Sequence, residues 1–298
     1  MAGRGRKDHG SADGSARVIE FLHTLEPWLI EVFLISNMAA MGLGLTLRQM
    51  RVPLGNLHLV AYATITNFIL VPLLAVGVSR VLDLAPSLAT GLLLLGLSAG
   101  APFMPKVAAI AKGDIALSVG LVVLLMVGTT AFMPVVLPQL VEGAQVDSLR
   151  IARFLVLLML VPLAGGLVLR ARSPVFARKL RPILERVSTG SLLAAIVVVM
   201  TVNLEAVVRV SGSGAIAAGL LFTILSALAG WSFGARGVAQ RSVLSLASGF
   251  RNVPVALIVS LQNFEDPDVA VMVIVTTFVA LLVLVPAAWI AGLRTSDA

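Results

Sequence analysis

Apolar residues along this chain gather into runs of roughly twenty, separated by short polar stretches. A helix rises about 1.5 Å per residue, so a run of that length crosses the roughly 30 Å hydrocarbon core of a bilayer. Nine runs are read as spans, near residues 28–47, 57–81, 87–111, 115–139, 150–171, 182–208, 213–235, 242–263 and 268–292. The pattern predicts an all-α polytopic membrane protein with about nine transmembrane helices. Connections are short, so residues 28–292 form a single transmembrane domain, followed by a tail at 293–298. The polar residues 1–16 read as a disordered tail. They do not resemble a signal peptide, because the apolar run that follows is too long and lacks a small-residue cleavage site. Residues 17–27 place Val18, Phe21, Leu22 and Leu25 on one face, which predicts a short interfacial helix.

Composition agrees. Of 298 residues, 58% are hydrophobic and 12% charged. A soluble domain carries about twice that charged fraction, so there is too little polar surface to cover a water-facing globule. The chain has no cysteine, which excludes disulfides, thiolate metal sites and cysteine nucleophiles. The net charge of +7 does not indicate a nucleic-acid partner, since no basic stripe alternates with aromatics. The basic residues instead set orientation. One side of the membrane receives twelve Lys and Arg, the other four, leaving out the N-terminal tail. Arg170, Arg172, Arg178, Lys179, Arg181 and Arg186 supply half of the twelve. The expectation is a multi-pass protein of the cell (plasma or inner) membrane with its C-terminus cytoplasmic and its N-terminus outside.

Two spans carry residues that interrupt helices. The third contains Ser98-Ala-Gly-Ala-Pro-Phe-Met-Pro-Lys106, with Gly100, Pro102 and Pro105. The eighth contains Ser245-Leu-Ala-Ser-Gly-Phe-Arg-Asn-Val-Pro254, with Gly249 and Pro254. Five spans separate them, so the two segments cross the membrane in opposite senses. Matched breaks of opposite sense are the trace of inverted-topology repeats with discontinuous helices, a construction that places a transporter's site at the midplane. Residues 28–139 and 182–292 are the two repeats, joined by the linking helix 150–171.

Lys106 and Arg251 are the sharpest chemical features. A charge deep in a membrane helix is costly and faces a cavity or a partner. Their spans hold no acid to pair with except Asp114, at the far end of the third. Two cations beside broken helices, whose N-termini also attract negative charge, predict an anionic ligand, a carboxylate or sulfonate. Arg251 suits bidentate recognition of it. Lys106, buried beside an arginine, is the group suited to proton coupling; the alternative is that it snorkels to the interface. Asn67, Asn252, Ser118, Ser98 and Ser248 join them as substrate or coupling-site residues. Thr129, Thr130, Asn203, Glu205, Thr276 and Thr277 are weaker signals, since intramembrane polar groups commonly bond a backbone or a neighbour. Glu31, without an obvious partner, is a further cavity residue. His23 and His58 sit at interfaces. No metal spacing, nucleophile elbow or phosphate loop occurs.

Met41-Gly-Leu-Gly-Leu-Thr-Leu47, Asn67-Phe-Ile-Leu-Val-Pro72, Ala111-Lys-Gly-Asp-Ile-Ala-Leu-Ser118 and Gly249-Phe-Arg-Asn252 with Ala256-Leu257 resemble the bile acid:sodium symporter family. The resemblance covers nearly all of the chain from about residue 28. It implies ten helices, or nine when the first is missing, arranged as a panel domain and a core domain that contains two crossing discontinuous helices. It also implies sodium sites, and there this sequence departs. The family's Ser-Asn pair falls on Met104 and Pro105, its Thr on Val122, its Glu on Ala247 and its breakpoint Gln on Arg251. The Gln of the family's third helix falls on Asn67, and Ser118 alone matches fully.

Most of these side chains offer no oxygen to a hard cation, and Arg251 would repel one. Fixed cations are therefore expected to stand in for bound sodium. The resulting expectation is an alternating-access carrier of a small organic anion, sodium-independent, with no cofactor. A sodium-coupled organic anion or bile acid symporter is the alternative within transport. An intramembrane enzyme or sensor is the rival of another class; the spans lack the paired acids or metal cluster an enzyme needs, and there is no room for an output domain. Substrate identity and oligomeric state are not written in the sequence.

Overall fold

The structure, a computed structural model, describes residues 9–46, 55–141, 147–202, 212–232 and 237–294. The described residues are helical apart from turns and short gaps. In chain order they form α1 (His9–Gly44), α2 (Leu57–Val81), α3 (Pro86–Leu97), α4 (Met104–Ile110), α5 (Ile115–Leu140), α6 (Ser148–Arg172), α7 (Pro174–Val202), α8 (Ala215–Ser232), α9 (Val238–Gly249), α10 (Val253–Asn263) and α11 (Pro267–Arg294).

Among the described residues, seven stretches are long and apolar enough to cross a membrane, and each coincides with a predicted span. The predicted third span is the pair α3 and α4 with a gap between them, and residues 182–202 of the sixth lie in α7, its last six falling outside the described residues. The N-terminus differs from expectation. Residues 9–16 are not a tail and residues 17–27 are not a separate interfacial helix, because α1 runs unbroken from His9 to Gly44. Pro27 lies inside it, where a missing N–H removes one backbone bond without ending the helix. Residues 1–8, Arg48, Arg51, Asn203, Glu205, Arg209 and Arg236 lie outside the described residues. The basic stretch from Pro174 is also helical rather than a loop. Pro174 opens α7 at a position where its lacking N–H costs nothing, and Arg181 Nε donates to Glu185 Oε1 one turn on, at 2.9 Å.

Local signals explain the ends. Lys112 has φ +50°, Gly113 N–H donates to Ala108 O at 2.8 Å, and Lys112 N–H donates to Ala109 O at 3.2 Å. This is a Schellman stop for α4. Asp114 then caps α5, its Oδ1 accepting from Leu117 N–H at 2.9 Å. The Lys-Gly-Asp run is thus a helix-to-helix joint. Two π-helical turns, Thr66–Leu70 in α2 and Val156–Leu160 in α6, each end two residues before a proline, Pro72 or Pro162. The proline ring cannot accept a normal preceding turn, so the helix widens there.

The helices divide into two groups. α1, α6 and α7 pack on one another. Gly42 and Gly166 let α1 and α6 approach so closely that a Cβ on either would strike backbone of the other helix. α2–α5 and α8–α11 form the second group, which contains both breaks and a core rich in Leu, Val and Ala.

Candidate functional site

The breaks are built from the residues that predicted them, in two different roles. Between α3 and α4, residues 98–103 leave helical geometry, with Gly100 at φ +89°. A side chain there would be strained by that φ and would meet Met126 at 2.8 Å. Pro102 lies in the same gap. Pro105 and Pro254 do not break helices; each stands in the first turn of a second half-helix, α4 or α10. Gly249 is the last residue of α9, close against Ala227 and Leu284.

Carbonyls freed by the first break find new donors, one after another. Ser98 Oγ donates to Leu94 O at 2.6 Å and Ser98 N–H to Leu95 O at 3.0 Å. Thr129 on α5 closes on Ala99, accepting from its N–H and donating to its carbonyl, both at 3.0 Å. The second break supplies the rest. Asn252 N–H donates to Ser98 O at 2.7 Å, joining the two gaps directly. The rings of Phe103 and Phe250 meet edge to face at 5.0 Å. The two discontinuous helices therefore touch at their interruptions.

Arg251 lies in this contact, 3% exposed. Its Nε donates to Leu95 O at 2.9 Å and its Nη2 to Gly96 O at 2.7 Å. Its Nη1 donates to Asn67 Oδ1 at 2.7 Å and Ser248 O at 3.4 Å. Leu95 and Gly96 lie in the last turn of α3, and Ser248 in the last turn of α9, so the guanidinium sits at the negative ends of two half-helix dipoles. Asn67, in the π turn of α2, also donates to Ala63 O at 2.9 Å and Ser248 Oγ at 3.2 Å. Arg251 was expected on the wall of an anion cavity. Its donors instead face carbonyl oxygens.

A cavity of about 250 Å³ lies where the two helix groups meet. α1 contributes Ile30, Phe33 and Asn37, and α7 contributes Ser188, Thr189, Leu192 and Ala195. The other wall is Pro102, Phe103 and Lys106, then Val253, Pro254 and Leu257 of α10, and Ile274, Thr277, Phe278 and Leu281 of α11. Among the described residues, Lys106 is the only charged side chain on this wall. It is exposed to the cavity, not buried beside Arg251 as expected.

The expected site thus separates into two. Arg251, Asn67, Ser248, Asn252 and Ser98 gather at the crossing, and Lys106 stands in the cavity. Ser98 Oγ serves its own helix. Asn252 is fully buried with neither amide atom partnered, and Ser118 Oγ is likewise buried and unpartnered on α5. Glu31 is half-buried and off the cavity wall. Residues 30, 33 and 37 line the wall at helical spacing, which turns position 31 aside. Asn37, Ser188 and Thr189 were not singled out from sequence. The signal was available, since Asn37 interrupts the apolar run of the first span. His58 is exposed at the start of α2, stacked edge to face on Tyr62.

The profile of the sodium bile acid symporter family matches residues 31–210, more than half of the chain. The chain belongs to the sodium bile acid symporter family. Relatives include the probable sodium/metabolite cotransporter BASS1, chloroplastic, of Arabidopsis thaliana, 27% identical over 248 residues. That alignment covers 82% of this chain and 61% of the relative. The probable sodium/metabolite cotransporter BASS2, chloroplastic, of Oryza sativa subsp. japonica is 26% identical over 253 residues, covering 83% and 60%. The chain thus spans about three fifths of the length of these relatives.

The family's name implies sodium, and the residues at the crossing of this symporter-family chain do not fit it. Met104, Val122 and Ala247 are buried and offer no oxygen. Pro105 has no side-chain donor atom. The carbonyls and the Asn67 amide oxygen that could ligate a cation are occupied by Arg251. Among the described residues no three acidic or histidine side chains cluster. Of the positions that the resemblance assigns to sodium, Ser118 alone keeps an unoccupied side-chain oxygen, and Asn252 Oδ1 at the second gap is a further unpartnered one.

Proposed function

We propose that the protein carries an amphipathic organic anion across a membrane by alternating access. The observation that carries this reading is the cavity between the two helix groups, apolar except for Lys106 and the neutral groups of Asn37, Ser188, Thr189 and Thr277. A single cation on an apolar wall suits a ligand with one carboxylate or sulfonate and a hydrocarbon body. The first turn of α10, which borders the cavity at Val253 and Pro254, adds partial positive charge on the same side. α1 and α7 form one wall and the broken helices with α11 the other, so relative motion of the two groups would expose the cavity to alternate sides. Pairing of residues 28–139 with 182–292 as inverted repeats is part of this reading, as are a cell-membrane location and a cytoplasmic C-terminus. Names of the relatives favour a second reading, sodium-coupled symport.

The test is a thermal-shift series on purified protein with amphipathic carboxylates and sulfonates beside neutral and cationic analogues. Anions are expected to raise Tm of the wild type and of Lys106→Arg, and to lose that effect in Lys106→Gln. Because Lys106 is exposed, its replacement should move ligand-free stability by no more than about 0.5 kcal/mol. Neutral analogues that stabilise as well as anions, or an unchanged response in Lys106→Gln, would overturn the proposal.

A further inference from the structure

The geometry points to Arg251 as a built-in cation that locks the crossing of the two broken helices, in place of any dissociable metal ion. The reasoning starts from the oxygens. Leu95 O, Gly96 O and Ser248 O are carbonyls at the last turns of α3 and α9; Leu95 O keeps one N–H partner, Ser98 at 3.0 Å, and none of the three has the i+4 partner of a continuing helix. Asn67 Oδ1 joins them from α2. Four oxygens, three of them at negative helix ends, converge in a water-poor interior, and such a cage must hold positive charge to be stable. A small alkali cation coordinated by oxygens would serve. In this chain four guanidinium N–H donors occupy those oxygens at 2.7–3.4 Å.

Room and charge both argue against an additional ion. The void beside Arg251, edged by Phe222, Thr223, Thr276 and Phe250, is about 10 Å³, the space of one water. A cation entering it would lie next to a positive charge that, among the described residues, has no carboxylate partner. The guanidinium also cannot leave, since it is tethered to Phe250 and Asn252 of the same gap. The consequence is functional. A carrier whose crossing is held by a dissociable ion needs that ion bound before it can take substrate. A carrier whose crossing is held by its own arginine stays assembled in any salt, and its transport draws nothing from a sodium gradient.

The inference holds whichever anion the cavity takes, and its test requires none. Tm is measured for the wild type, Arg251→Ala and Arg251→Lys in lithium, sodium, potassium and choline chloride at equal ionic strength. The wild type is expected to show one Tm in all four salts. Arg251→Ala uncovers the oxygen cage; in choline its Tm should fall by roughly 5–15 °C, and one of the alkali ions should restore part of the loss along a saturable curve. Arg251→Lys, which keeps a tethered charge, should lie between and ignore the salt. A wild-type Tm that climbs saturably with sodium would overturn the inference. So would a folded Arg251→Ala that responds to choline as it does to every alkali ion. If Arg251→Ala does not fold, the wild-type series still decides, a flat response supporting the built-in cation and a saturable rise refuting it.

Discussion

Asn252 and Ser98 lie 154 residues apart in sequence, and the N–H of one donates to the carbonyl of the other at 2.7 Å. Each belongs to the non-helical gap of a different broken helix. Neither gap could be buried alone, because unpaired backbone groups in a membrane interior cost several kcal/mol each, on the order of the energy that holds a domain together. Burying the two together lets each satisfy the other.

Thr129 makes the same kind of repair from α5, with both the N–H and the carbonyl of Ala99. Thr129→Val keeps the shape and removes both bonds. It should destabilise the protein by about 1–3 kcal/mol for each orphaned group, read as a lowered Tm in detergent. Thr129→Ser keeps the hydroxyl and should recover most of the loss. Equal stability of the valine variant and the wild type would show that Ala99 finds other partners.

The contact of α1 with α6 depends on two glycines. A side chain at Gly166 would meet Ala39 O and the backbone of Gly42 and Leu43, neither of which can yield as a flexible side chain would. Gly166→Leu should cost about 1–3 kcal/mol by overpacking and lower expression of folded protein. Gly165, one position away, has open space around its Cβ direction. Gly165→Leu should be tolerated, and the pair of variants separates close approach from a general intolerance of bulk.

The absence of cysteine makes the chain its own background for thiol chemistry. Ser188→Cys and Thr277→Cys would put one thiol on each wall of the cavity. Both should react with a membrane-impermeant maleimide in one conformation, and a stabilising anion should slow labelling at both. Leu282→Cys, on the same helix but 75% exposed on its outer surface, should not respond to the anion. The same reagent reads orientation. A cysteine at Ser296 should label only after the cell membrane is opened, if the C-terminus is cytoplasmic.

Much of the architecture was legible in the sequence because it is local. Length and apolarity of a run suffice for a span, since the bilayer dictates both. Lys112, Gly113 and Asp114 carry the end of one helix and the start of the next within three residues. Gly100 and Pro102 announce a gap for the same reason, and so do the prolines that open α4 and α10. The extent of α1 was not legible. Its polar first residues have no pattern that separates a tail from a helix, and Pro27 looked like an end.

Lys106 and Arg251 show where local information stops. In sequence they are equivalent, each a cation inside an interrupted span. Both were read as wall residues of one anion cavity. The tertiary structure parts them. Arg251 meets carbonyls 155 and 156 residues away and an amide 184 residues away, while Lys106 faces a cavity whose opposite wall comes from α1 and α7. A charge takes its role from the atoms around it. The sequence by itself determined that two cations lie at two breaks in a membrane protein of this family. Only the packing of helices far apart in the chain decided that one of them meets a cage of oxygens and the other an open, apolar cavity.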